Sequence, residues 1–147
     1  MLKETLTTDL VTTDLPGADK DQIIRALMDL ICKSGKVKDP ELALDDVLAH
    51  ETGMSTGMEH GIAIPHAKSD AVDELVACVG ISKRKIDFES LDRKPAQIFV
   101  MTLSPRDGTG PHVQFLAEIS RLLKEPKLRR KLLKAKTEEE LLSLLTK

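Results

Sequence analysis

A chain of 147 residues is long enough to bury one substantial core, and its formal net charge of −2 gives no electrostatic case for DNA or RNA as the main partner. With three Phe and neither Trp nor Tyr, the core falls to aliphatic residues, and the stacking platforms that single-stranded nucleic acid or sugar rings use are missing. Cys32 and Cys78 show no metal-ligand or redox spacing and sit in apolar runs, so two buried thiols in a reducing compartment are expected, with no disulfide or zinc site.

In chain order, the Thr-rich N-terminus has no apolar stretch of the signal-peptide kind, and no later segment has the length of a membrane span; a soluble, cytoplasmic protein is expected. Residues 2–15 carry β-branched residues in loose alternation and predict one or two short strands or a sheet edge. After the Pro16-Gly17 turn, Asp19 is placed to cap a helix to about Lys33, with Ile23, Ile24, Leu27, Leu30 and Ile31 at helical spacing and Gly35 as its stop. Asp39 and Pro40 open a second helix with Leu42, Val47 and Leu48 as its apolar stripe, running into His50 and Glu51. Thr52 to Glu59 reads as a glycine-broken loop rich in hydroxyls and backbone N–H groups.

Gly61 to Ala67 is the stretch to which the rest points. Ile62-Ala63-Ile64 is a short β-like run that Pro65 should end, because proline has no N–H for a ladder and holds its predecessor extended. His66 follows that rigid dipeptide, so the backbone aims it and little freedom is lost when it is used. An imidazole is nucleophilic and partly neutral near pH 7. Leu75 to Ile81 and Ala96 to Leu103 are unalternating apolar runs, which predict strands covered on both faces and hence helices on both sides of a sheet. Between them, Ile86, Phe88 and Leu91 are the expected anchors of a charged connection. Ser104 to Pro111 reads as a loop. His112 then heads a helix whose expected buried face is Val113, Leu116, Ile119, Leu122 and Leu123. Pro126 and Thr137 introduce two further helices, and the basic residues Lys127 to Lys136 read as a solvated face.

His66 and His112 both flank Gly/Pro loops at element ends, where an open α/β sheet forms its ligand crevice. A second histidine beside a nucleophilic one serves to hold a tautomer, to hydrogen-bond phosphoryl oxygens or to stabilise charge; the bland alternative is that each His merely closes a loop. His50 and His60 are weaker candidates. A metal site of His60, His66 and His112 has no recognised ligand spacing, so no metal or other cofactor is expected.

Ser55-Thr56-Gly57 followed by Gly61-Ile62-Ala63-Ile64-Pro65-His66 resembles the active-site signature of the enzyme IIA domain of the phosphotransferase system, fructose/mannitol type, a group that includes the nitrogen-regulatory enzyme IIA. The similarity covers nearly the whole chain and implies one domain over residues 1–147, an α/β fold in the form of a three-layer αβα sandwich with a mixed sheet. Carried over by position, it implies that His66 accepts a phosphoryl group from phospho-HPr and passes it to an enzyme IIB. His112 matches the family's second active-site histidine. Ser55, Thr56, Gly57, Gly61 and His50 are implied as phosphate-binding, His50 standing where the family often has arginine and Lys68 as a candidate to compensate. Three other readings stay open: a regulatory module whose phosphorylation changes its affinity for a protein target, a hydrolase or metal enzyme built on the histidines, and a relative that has lost the chemistry.

Overall fold

The two apolar runs become the two central strands of one sheet. The structure is a computed structural model that describes residues 2–53, 55–107 and 109–146; Met54 and Gly108, read above as loop residues, lie outside the described residues, as do the two terminal residues of the expected domain. The elements are α1 Leu2–Thr5, β1 Val11–Thr12, α2 Lys20–Ile31, α3 Pro40–Gly53, β2 Ile62–Ala63, β3 His66–Lys68, β4 Val76–Ile86, β5 Ala96–Ser104, α4 Thr109–Leu123, α5 Pro126–Lys134 and α6 Glu138–Thr146. The sheet runs β1-β4-β5-β2, with β3 also beside β5. β4 and β5 are antiparallel, while β1 is parallel to β4 and both β2 and β3 are parallel to β5, so the sheet is mixed.

Because neighbouring residues of a strand point to opposite faces, an unbroken apolar run feeds two cores at once. Cys78, Phe99, Met101 and Leu103 enter the core under α2 and α3. Ala77, Val79, Ile81, Ile98 and Val100 enter a second core with Phe115, Ile119 and Leu123 of α4 and with Leu132, Leu141 and Leu145 of α5 and α6. The result is the expected αβα sandwich.

The caps hold where the sequence places them: Asp19 accepts from the Gln22 N–H at 2.9 Å, and Asp39 from the Leu42 N–H at 3.2 Å. Several details differ from expectation. Residues 2–15 give a helical turn, a 3₁₀ turn at Thr8–Leu10 and only a two-residue strand, because α1 and Leu6 pack on the second core. α3 continues through Thr52 and Gly53 and buries Ala43, Val47 and Glu51, so Leu42 on the neighbouring stripe stays 37% exposed. β4 runs on to Ile86, its charged Lys83–Lys85 exposed. Ile86 and Phe88 are buried, but Leu91 is 75% exposed, since left-handed turns at Glu89 and Arg93 carry it outward. α4 starts at Thr109; its inner face is His112, Phe115, Ile119 and Leu123, and Val113 beside that face is 59% exposed. Cys78 is buried, whereas Cys32 is only half-buried.

Candidate functional site

Strand register does the first positioning. Pro65 interrupts the edge strand, as its missing N–H requires, yet the chain re-pairs at once: His66 lies opposite Thr102 and Ala67 opposite Leu103. The expected strand end at the proline is therefore a two-residue break, Ile64–Pro65, bridged by the Thr102 N–H donating to the Pro65 carbonyl at 3.1 Å. Paired residues share a sheet face, so the His66 side chain stands on the same side as Thr102, the side covered by α4. From the first turn of α4, His112 meets Thr102: its Nε2 and the Thr102 hydroxyl share a hydrogen bond of 2.8 Å. The His66 and His112 rings are 5.7 Å apart and nearly perpendicular, at 71°.

The His66 ring is itself pinned. Its Nδ1 lies 2.7 Å from the Ile64 carbonyl oxygen. A carbonyl only accepts, so Nδ1 carries a proton and Nε2 of the neutral ring holds the free lone pair. From the C-terminal part of α3, His50 packs against the same ring, with centroids 4.6 Å apart. The three imidazoles line one open cavity of about 500 Å³ together with Asp46, Ala67, Lys68, Arg106 and Leu116.

Two of these histidines are tuned toward the neutral form. Burial, and then the neighbouring charges of His66, Lys68 and His50, push the His112 pKa down to about 4. Burial and His66 likewise hold His50 below the ordinary histidine range, with Glu51 pulling weakly the other way. Lys68, exposed on the same lining, donates to the Thr109 hydroxyl at 2.8 Å.

The Ser55–Gly61 loop lies outside this lining, and its polar groups are turned to structural use. The Thr56 N–H and hydroxyl both donate to the buried Glu51 carboxylate, the N–H at 2.6 Å. The Gly57 N–H reaches the Ser55 hydroxyl at 3.3 Å, and that hydroxyl donates to the Phe88 carbonyl at 2.9 Å. The Met58 N–H bonds the Ile62 carbonyl and the Gly61 carbonyl takes the N–H groups of Gln97 and Ile98, so the loop is stitched to the sheet. At Gly57, a Cβ would lie 2.6 Å from the Phe88 carbonyl oxygen and 2.9 Å from the Ser90 Cα, so only glycine fits that approach.

Glu51 is the buried charge that the sequence reading passed over. It sits one helical turn beyond Val47 on the inner face of α3 and meets the Lys20 ammonium of α2 at 2.9 Å. Burial works against the charge on Lys20, but Glu51 and Glu89 outweigh it and raise its pKa. This ion pair ties α2, α3 and the Ser55–Gly61 loop together immediately beside His50. Its position four residues after Val47 was the available signal. Arg106, which also lines the cavity, follows β5 in a loop, where periodicity gives no signal.

His60 stands apart from the other three. It is 57% exposed at the side chain, its backbone is left-handed, and its N–H donates to Asp92. Among the described residues, no three His, Cys, Asp or Glu side chains are grouped to hold a metal ion. Among the same residues, no helix is long and apolar enough to cross a membrane.

The sequence model of the family described as "Phosphoenolpyruvate-dependent sugar phosphotransferase system, EIIA 2" matches residues 4–147. The "PTS system fructose-specific EIIA component" of Haloferax volcanii is 39% identical over 131 residues, covering 89% of this chain and 85% of that protein. The crystal structure of the nitrogen regulatory protein IIA-Ntr from Neisseria meningitidis superposes with a TM-score of 0.90 at 22% identity, over 97% of both chains. The enzyme IIA mannitol in a complex with phosphorylated enzyme IIB mannitol from Escherichia coli gives 0.82 at 20% identity, over 96% of each. Those two structures speak for the fold.

Proposed function

The chain belongs to the phosphoenolpyruvate-dependent sugar phosphotransferase system EIIA 2 family, and from that premise we propose that it is a phosphocarrier, taking a phosphoryl group from phospho-HPr on His66 and passing it to an enzyme IIB. The observation that carries this reading is the His66 ring itself, with Nδ1–H held by the Ile64 carbonyl and the Nε2 lone pair left for attack. In the forward step Nε2 bonds to phosphorus in line while the donor's P–N bond breaks and its electron pair returns to the donor imidazole. No proton has to move. The positive charge left on the His66 ring is stabilised through Nδ1–H by the same carbonyl. Onward transfer to a IIB nucleophile is the reverse of these events.

His112 and His50 stand around the leaving and arriving phosphoryl group, and the Thr102 hydroxyl fixes His112 in place. Both rings are tuned to be neutral near pH 7 before phosphorylation, so they act as hydrogen-bonding walls; a phosphoryl dianion beside them would draw their pKa values upward. In this reading Ser55, Thr56, Gly57 and Gly61 brace the backbone that aims His66. The reaction requires no cofactor, because the phosphoramidate donor is already energetic.

The test is incubation of the chain with phosphoenolpyruvate, enzyme I and HPr, followed by mass spectrometry of the acid-labile adduct. One phosphoryl group on His66, absent from His66→Ala, is expected; label persisting on His66→Ala overturns the assignment. A cognate IIB that discharges the adduct marks a role in sugar uptake. A protein target whose binding changes with the phosphoryl group, worth roughly −1.5 to −2 charges, marks the regulatory role instead.

A further inference from the structure

The cavity around His66 contains a carboxylate as well as its imidazoles. Asp46 lies one helical turn before His50 on α3; its side chain is only 21% exposed, and its Oδ2 is buried without a hydrogen-bond partner. A partly buried carboxylate in the wall of a cavity that receives a phosphoryl group is repulsive unless a cation accompanies it. His50 and His112 are both tuned toward neutrality, so the permanent positive charge of the lining comes from Lys68 and Arg106. Lys68 is committed to the Thr109 hydroxyl at 2.8 Å.

Arg106 is held loosely. Its Nε is 3.3 Å from Asp70 Oδ1 and its Nη2 is 3.9 Å from Asp46 Oδ1, and its side chain is 60% exposed. Neither contact is the close bidentate pair that a guanidinium forms with a well-placed carboxylate, so the fork is free to take a better anion. A phosphoryl group is such an anion, carrying three terminal oxygens, two of which a guanidinium can meet with parallel N–H bonds.

Resting on the reading of His66 as phosphoacceptor, we propose that Arg106 is the phosphoryl-binding cation of this site, exchanging its Asp70 contact for the phosphoryl oxygens while Asp46 retains it at the cavity mouth. No covalent bond changes in this exchange. One weak, exposed ion pair is given up for a charge-assisted pair of N–H···O bonds, and the phosphorylated state is favoured over the free one.

The experiment measures how label from phosphoenolpyruvate partitions at equilibrium between HPr and this chain, for the native protein, Arg106→Gln, Arg106→Lys and the double variant Arg106→Gln/His50→Arg. Arg106→Gln should lower the phosphorylated fraction relative to HPr on the order of tenfold, the effect of losing one partly exposed charge-assisted contact. Arg106→Lys should recover only part of that ratio. The double variant should recover most of it, because a guanidinium at position 50 approaches the same ring from α3. The native-to-Gln gap should shrink as salt is raised. If Arg106→Gln partitions within twofold of the native chain while His66 is still labelled, the inference fails and the phosphocarrier reading stands. A loss that neither Arg106→Lys nor the double variant repairs assigns Arg106 a structural role and also overturns it. If the native chain takes no label, both fall together.

Discussion

Neutralising the buried His112 makes folding depend on pH in a direction opposite to that of a paired histidine. Its pKa sits at about 4, against an ordinary 6.5, so between those values the unfolded chain binds a proton that the folded chain refuses. The stability associated with a neutral His112 is therefore complete above the unfolded pKa and is lost as pH falls toward the folded one. Lowering the pH from 7.5 to 5.0 covers about one and a half units of that window, which corresponds to about 2 kcal/mol from this residue alone. His50, also depressed, adds in the same sense, and carboxylates contribute a background common to any variant. The assay is urea denaturation of the native chain and of His112→Gln at both pH values. The native protein should lose about 2 kcal/mol more than the variant over that interval, whatever the variant's stability at pH 7.5. Equal losses in the two proteins, within about 0.5 kcal/mol, would refute the burial argument. So would an imidazole titration of His112 by NMR with a midpoint near 6.5.

Three other perturbations follow from the same geometry. Glu51→Ala removes the acceptor of both Thr56 groups and the buried partner of Lys20; with Lys20 still touching Glu89, a loss of about 2–3 kcal/mol is expected in chemical denaturation. Gly57→Ala places a methyl group against the Phe88 carbonyl and Ser90, and should cost about 1–3 kcal/mol and slow phosphorylation by displacing the loop that aims His66; a fully stable, fully active variant would contradict the close approach. Thr102→Val keeps the shape but leaves the His112 Nε2 without its partner, so about 1–3 kcal/mol should be lost. In that variant the chain's phosphorylation from HPr should slow without the phosphoryl group leaving His66.

Where one physical rule dominated, the fold could be read from the residues. The unalternating runs at β4 and β5 required two covered faces, and the Asp19 and Asp39 caps fixed two helix starts. Errors arose where tertiary position overrode local pattern. Leu91 and Val113 had the right hydrophobicity, yet the left-handed residues Glu89 and Arg93 around one, and a buried helix face centred on His112 and Phe115 beside the other, turned them outward. Sequence brought His66 and His112 forward because both flank Pro/Gly breaks, and the resemblance added His50. What it lacked was the register that sets His66 opposite Thr102, a pairing that only the folded sheet specifies. Arg106 and the unpartnered Asp46 oxygen were likewise invisible, since loop residues and isolated helix carboxylates carry no periodic signal.

Phosphocarrier chemistry here rests on one ring nitrogen, and nitrogen-15 labelling of histidine with phosphorus-31 detection reads it directly. After phosphorylation through enzyme I and HPr, the phosphorus should couple to Nε2 of His66, with Nδ1 still protonated and hydrogen-bonded to the Ile64 carbonyl. Coupling to Nδ1 of His66, or to any other histidine, would contradict the account.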